Sequence, residues 1–100
     1  MSFANEMYLI CNKLGIDYDK VVEYSTYDER LGKSHWAVPG PDGHYGFGGS
    51  CFPKDINALI KVADKLGLCT EVLSSAWYTN LMVRPEEDWK ELKGRAVVDE

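Results

Sequence analysis

An all-α fold follows from three features of this 100-residue chain. Its apolar residues recur at helical spacings of three and four, no alternating apolar pattern is long enough for a strand, and most turn-forming residues gather in one central stretch. The first apolar stripe, Phe3, Met7, Ile10, Cys11 and Leu14, runs to Gly15, a natural helix stop. No N-cap precedes it and Ser2 is a poor one, the pattern expected of a long helix cut short at this end. Asp17 caps a second helix through Val21, Val22 and Tyr24, and Asp28 opens a short turn closing at Gly32.

Between Lys33 and Ser50 the pattern changes. Val38-Pro39-Gly40-Pro41-Asp42-Gly43 is turn chemistry, and five glycines between Gly40 and Gly49 rule out a regular helix. Compact domains seldom keep so long a loop unless it binds or catalyses something. Pro53 then stands where a first helical turn favours proline, followed by the apolar face Ile56, Leu59, Ile60, Ala63 and Leu66 up to Gly67. Thr70 is placed to cap a further helix with Leu73, Trp77 and Leu81 on one side, ended by Pro85, and Pro85 to Leu92 reads as a short last helix stopped by Gly94. The expected organisation is one helical domain over residues 1–94, carrying a loop at 33–55, with a tail at 95–100.

Composition excludes several functions. A net charge of -5 with basic residues scattered among acids leaves no nucleic-acid footprint. No apolar run approaches the roughly 20 residues needed to cross a bilayer, and the N-terminus lacks the layout of a secretory signal, so a cytoplasmic location is expected. Cys11, Cys51 and Cys69 form no CxxC pair, so free thiols fit better than a disulfide framework. His35, His44, Cys51 and Cys69 match no zinc spacing, and no metal is expected.

The chemistry is concentrated in Gly46-Phe47-Gly48-Gly49-Ser50-Cys51-Phe52-Pro53-Lys54-Asp55. Glycines allow close backbone approach, and Cys51 falls just before a helix, where unpaired amides favour a thiolate. Asp55, four residues on, comes to the same side of the first turn, where a carboxylate can order or deprotonate water. Free cysteine is also among the most buried residue types and aspartate is common in first turns, so the residues alone leave Cys51 open between reactive and structural. The glycines do not make a dinucleotide fingerprint, since no strand precedes them, and no GK[ST] phosphate loop is present.

This ten-residue string, preceded by Val-Pro-Gly-Pro-Asp-Gly, closely resembles the cysteine loop of the UDP-glucose and GDP-mannose dehydrogenase family, and Ser2-Phe3-Ala4-Asn5-Glu6 resembles the end of that family's long central helix. The resemblance implies the family's helical, central dimerisation region and hence a homodimer. It implies an NAD-dependent double oxidation of a nucleotide sugar such as UDP-glucose, serving the supply of polysaccharide precursors: alcohol to aldehyde, then through a cysteine thioester to the uronic acid. By the same resemblance Cys51 is the nucleophile. Asp55 orients or activates water, Lys54 lies beside substrate or cofactor, and the backbone of Phe47 and Gly48 lines the sugar pocket. Arg30, in Asp28-Glu29-Arg30-Leu31-Gly32, matches an arginine that reaches the neighbouring subunit's substrate. The family's NAD-binding domain, with an upstream lysine and asparagine of the central helix, is expected to lie outside these residues, so the stretch alone is expected to be inactive. The alternative is a non-catalytic dimerisation module with a vestigial loop.

Overall fold

The computed structural model describes residues 1–91. Four α-helices and one short 3₁₀ helix make up the regular structure among the described residues, and no strand occurs there. Helix α1 spans Ser2–Leu14 and ends at Gly15 in the left-handed conformation (φ 68°), where a residue without Cβ turns the chain without strain. Helix α2, Tyr18–Ser25, starts as expected at Asp17, whose carboxylate accepts from the Asp19 amide. The turn after it is held by Asp28, which accepts from the Arg30 amide at 2.9 Å. Helix α3 covers Phe52–Lys65 with Pro53 in its first turn, and α4 covers Glu71–Val83. Thr70 precedes α4 without making a side-chain cap; its hydroxyl meets that of Ser74 instead.

Helix α4 is the hub, packing against both α1 and α3, while α2 packs on α1. Polar ties fix the α1–α4 pair: Ser2 donates to the Ala76 carbonyl at 2.7 Å and Thr79 to Glu6 at 3.1 Å. Beside α1, Ala4, Cys11, Tyr18 and Val38 form a small core, and the Tyr18 hydroxyl donates to the Trp36 carbonyl at 2.6 Å. That bond secures the start of the 33–50 stretch, which has neither helix nor strand, as expected.

The expected last helix needs correction. The last helix is not an α-helix from Pro85 to Leu92: the chain leaves α4 at Arg84, turns through Pro85 and Glu86, and forms only a 3₁₀ helix at Asp88–Glu91. Glu87, at φ 43°, is in the left-handed region and interrupts any helical run from Pro85. Leu92, Gly94 and the 95–100 tail lie outside the described residues. The apolar face expected on α3 is present but only partly covered: Ala63 is buried, while Leu59 and Leu66 are 53% and 69% exposed.

Candidate active-site loop

The residues from Gly40 to Asp55 form a ribbon that crosses the ends of α1 and α4 and runs into α3. Its first part is a tight turn: Gly40 and His44 bond through the Gly40 amide at 2.9 Å, Gly43 sits at φ 80°, and the Asp42 carboxylate accepts from the His44 amide. Its second part is tied to side chains from distant elements. The Gly46 amide donates to Asn5 of α1 at 3.2 Å. Phe47 is clamped from both sides by Asn80 of α4, whose Oδ1 accepts from the Phe47 amide at 2.8 Å and whose Nδ2 donates to the Phe47 carbonyl at 2.9 Å. Asn80 is 0% exposed, so the exchange takes place away from water.

An arginine completes the hold. The Arg84 side chain is only 3% exposed and donates to Asp88 through Nε at 2.7 Å and Nη2 at 3.1 Å, to Asp42 at 2.9 Å and to the Tyr45 carbonyl at 3.2 Å. The Asp88 carboxylate in turn accepts from the Gly49 amide at 3.3 Å. Burial works to lower the Arg84 pKa, but its bonds to Asp88 and Asp42 outweigh that and raise it. Arg84 holds Asp88 below the usual carboxylate range, and Asp42 is lowered first by the His44 amide and then by Arg84. Under these groups run the rings of Phe47, Trp77 and Trp89, with centroids 6.0 and 5.1 Å apart along the series.

This clamp explains two glycines. At Gly46, φ is 67° and a Cβ would collide with Asn80 Oδ1. At Gly48 it would stand 2.5 Å from Arg84 Nη2 and Asp88 Oδ1. The close approach read from the glycines is therefore met, at these two positions, by the protein's own side chains.

Of the six residues singled out from sequence, five lie on this ribbon. Cys51 is exposed at the start of α3, its carbonyl accepting from the Asp55 amide at 2.8 Å, and its Sγ is 3.7 Å from Ser50 Oγ. Asp55 and Lys54 are exposed neighbours whose charged atoms are 3.7 Å apart. Two cavities flank the ribbon. One, about 580 Å³, includes Asp55, Phe47, Phe52, His35 and Leu73 in its wall; the other, about 540 Å³ and more polar, includes Phe47, Gly48, Phe52, His35, Asn5 and Asp42. Cys51 lines neither, but its neighbour Phe52 lines both. The amide and carbonyl of Phe47 are both engaged by Asn80, so it faces these cavities through its ring rather than through free backbone groups. Arg30 is not brought to the ribbon: its side chain is 89% exposed, forms a two-point ion pair with Asp28 in its own turn, and lines neither cavity.

Sequence reading missed Asn5, Asn80, Arg84 and Asp88. A signal was present in Asn80 and Arg84, which place a polar and a charged group one turn apart around the apolar run Leu81-Met82-Val83 at the end of α4. Among the described residues no group of three or more histidine, cysteine or acidic side chains is arranged to hold a metal.

A helical module presenting an exposed cysteine on a clamped glycine loop is the class that the fold and the loop define. The chain belongs to the UDP-glucose/GDP-mannose dehydrogenase family, whose central domain it matches over residues 1–81. It is 40% identical over 80 residues to the UDP-glucose 6-dehydrogenase YwqF of Bacillus subtilis, covering 80% of this chain and 17% of that protein. It is also 40% identical over 73 residues to the UDP-glucose 6-dehydrogenase of Pseudomonas aeruginosa, covering 73% of this chain and 15% of that protein. A third relative, the UDP-glucose 6-dehydrogenase AglM of Haloferax volcanii, is 36% identical over 76 residues, or 76% of this chain and 16% of its own length. The chain thus spans about a sixth of the length of the relatives it matches. No solved structure matches it.

Two consequences of this geometry are measurable. Asn80→Ala leaves a buried amide and carbonyl of Phe47 unpaired and is expected to cost about 2–4 kcal/mol in urea unfolding. Asp88 and Asp42 have lowered folded-state pKa values, so the stability they contribute is complete above the ordinary carboxylate pKa of about 4 and is lost as pH falls through their lower folded values. Melting temperature is therefore expected to drop on acidification below about pH 4, and to drop less steeply in Arg84→Met, which starts lower and leaves Asp42 and Asp88 lowered by their backbone amide donors but not by Arg84.

Proposed function

We propose that this chain is the central, cysteine-bearing part of a nucleotide-sugar 6-dehydrogenase that converts UDP-glucose to UDP-glucuronate. The observation that carries the proposal is the exposed Cys51 at the start of α3, on a loop whose backbone is fixed by buried Asn80 and Arg84. A nucleophile has to be accessible yet held, and a cysteine serving as packing needs neither.

In this reading the Cys51 sulfur bonds to C6 of the sugar aldehyde while the carbonyl oxygen takes a proton. Once that adduct has been oxidised to a thioester, water attacks the same carbon, the C–S bond breaks, and the thiolate leaves with the carboxylate formed. Asp55, one turn beyond Cys51 and exposed, orients or deprotonates that water. Lys54, its charged atom 3.7 Å from that of Asp55, lies in this reading beside the substrate or cofactor. Phe47 and Gly48 line the more polar cavity, where this reading places the sugar. NAD is the hydride acceptor for both oxidations, and the described residues do not fit it: no strand leads into the glycines, and the amides of Gly46, Phe47 and Gly49 are already bound by Asn5, Asn80 and Asp88. NAD is assigned to residues other than those described.

Self-association belongs to the same reading. Phe3, Leu9, Ile10 and Leu14 of α1 are 60%, 47%, 50% and 67% exposed, and Val72 and Met82 of α4 are 84% and 62% exposed. These apolar side chains stand open for a second copy. In such a homodimer Arg30, exposed on its own protomer, reaches the partner's substrate.

The 100-residue chain alone is expected not to reduce NAD with UDP-glucose. When it is joined to an N-terminal dinucleotide-binding half of the family, uronate production is expected, and Cys51→Ala is expected to abolish it while leaving circular dichroism unchanged. Undiminished uronate from Cys51→Ala would remove the nucleophile role and favour a dimerisation module with an idle loop. Sedimentation equilibrium is expected to give a dimer; a monomer at high concentration would refute self-association and the role of Arg30 across the interface.

A further inference from the structure

We propose that Arg84 and Asp88 are positioning residues for Cys51, so that the active-site loop is completed by the segment that follows helix α4. The match to the family's central domain covers residues 1–81. Within it, Asn80 and Asn5 hold Gly46 and Phe47. Nothing in that set reaches Gly49, two residues before Cys51. The hold on Gly49 comes from Asp88, and Asp88 is itself set by the two-point bond from Arg84.

Three independent features argue that this segment is built for the loop. Arg84 is 2% exposed as a residue, and its guanidinium bonds to the loop, through Asp42 and the Tyr45 carbonyl, and to Asp88, which touches the loop. A buried guanidinium that only closed off α4 would need one carboxylate at the helix end, whereas this one joins both halves of the ribbon. Gly48 admits no Cβ because Arg84 and Asp88 occupy that place, so the glycine and the clamp fit as a pair. Trp89, 4% exposed, packs its ring on Trp77, which meets Phe47, so the chain after Arg84 is anchored against the same residue that Asn80 clamps.

The functional consequence concerns the direction in which Cys51 leaves the loop. Asn80 fixes the ribbon at Phe47, but Gly48 and Gly49 lie between that point and the cysteine, and Gly49 is at φ 78° with open space around it. Without Asp88 those two glycines are a free hinge. With it, the turn into α3 has one orientation, and Cys51 is presented in one direction at the head of that helix. The inference rests on the reading of Cys51 as the reactive thiol.

The test compares two exposed cysteines in the full chain. Iodoacetamide labelling of Cys51 and Cys69 is followed by peptide mass spectrometry from about pH 6 to about pH 9, with Cys69 as internal reference. In Asp88→Asn and Arg84→Lys the Cys51-to-Cys69 rate ratio is expected to fall about fivefold across the profile, while helix content is retained. Lys90→Ala, which removes only a surface pair with Glu87, is expected to leave the ratio unchanged. An unchanged ratio in both clamp variants would overturn the proposal. Amide exchange on the unaltered chain reads the same hold without substitution: protection of the Gly49 amide supports it, and a Gly49 amide exchanging at the rate of an unstructured peptide overturns it. Neither measurement uses catalysis, so uronate production by Cys51→Ala would sink the nucleophile while leaving the clamp result intact, and the reverse also holds.

Discussion

The exchange of two hydrogen bonds between the Asn80 side chain and the backbone of Phe47 is the interaction on which the rest of the arrangement depends. A glycine-rich ribbon has little side-chain surface to bury and a high entropic cost of ordering, so it takes a defined path only where its backbone groups find fixed partners. Asn80 supplies both a donor and an acceptor from one rigid position on α4, the helix that packs against two others. From that point the Phe47 ring is directed toward Trp77 and Phe52, and the loop between the two cavities has a floor.

The charged layer above this pair works differently. One buried guanidinium faces two carboxylates that remain half in water, an arrangement that avoids the full cost of burying both partners of an ion pair. The half-exposed acids stay hydrated on one side while their inner oxygens are held by Arg84 and by the His44 and Gly49 amides. Asn80 therefore gives the loop its place, and the Arg84 group gives it an orientation.

The helices around the loop show how few large side chains are enclosed. Tyr18, Phe47 and Trp89 are the large apolar residues that are buried among the described residues, while much of α1, α3 and α4 carries apolar side chains in the open. A chain so constituted leaves much of its apolar surface available. The apolar stripe of α3 illustrates this: its period is helical, as read, but Ala63 alone is buried, Ile56 and Ile60 are half-buried, and Leu59 and Leu66 stand open.

Sequence alone determined the helical class, the stop at Gly15, the cap at Asp17, the proline-led start of α3 and the irregular stretch from Lys33 to Ser50, because each depends on local dihedral preference or on hydrogen bonds within a few residues. It also placed Cys51 and Asp55 on one turn, since their separation is a property of the helix itself. What holds the loop was decided only in the tertiary structure. Asn80 is 33 residues from Phe47, Arg84 is 42 from Asp42, and Asp88 is 39 from Gly49. No local periodicity links such positions, and a glycine read as room for a ligand looks the same in sequence as one read as room for an arginine. The short last helix failed for a related reason: a left-handed Glu87 and the pull of Arg84 toward the loop set the backbone after Pro85, not the propensities of the residues in it.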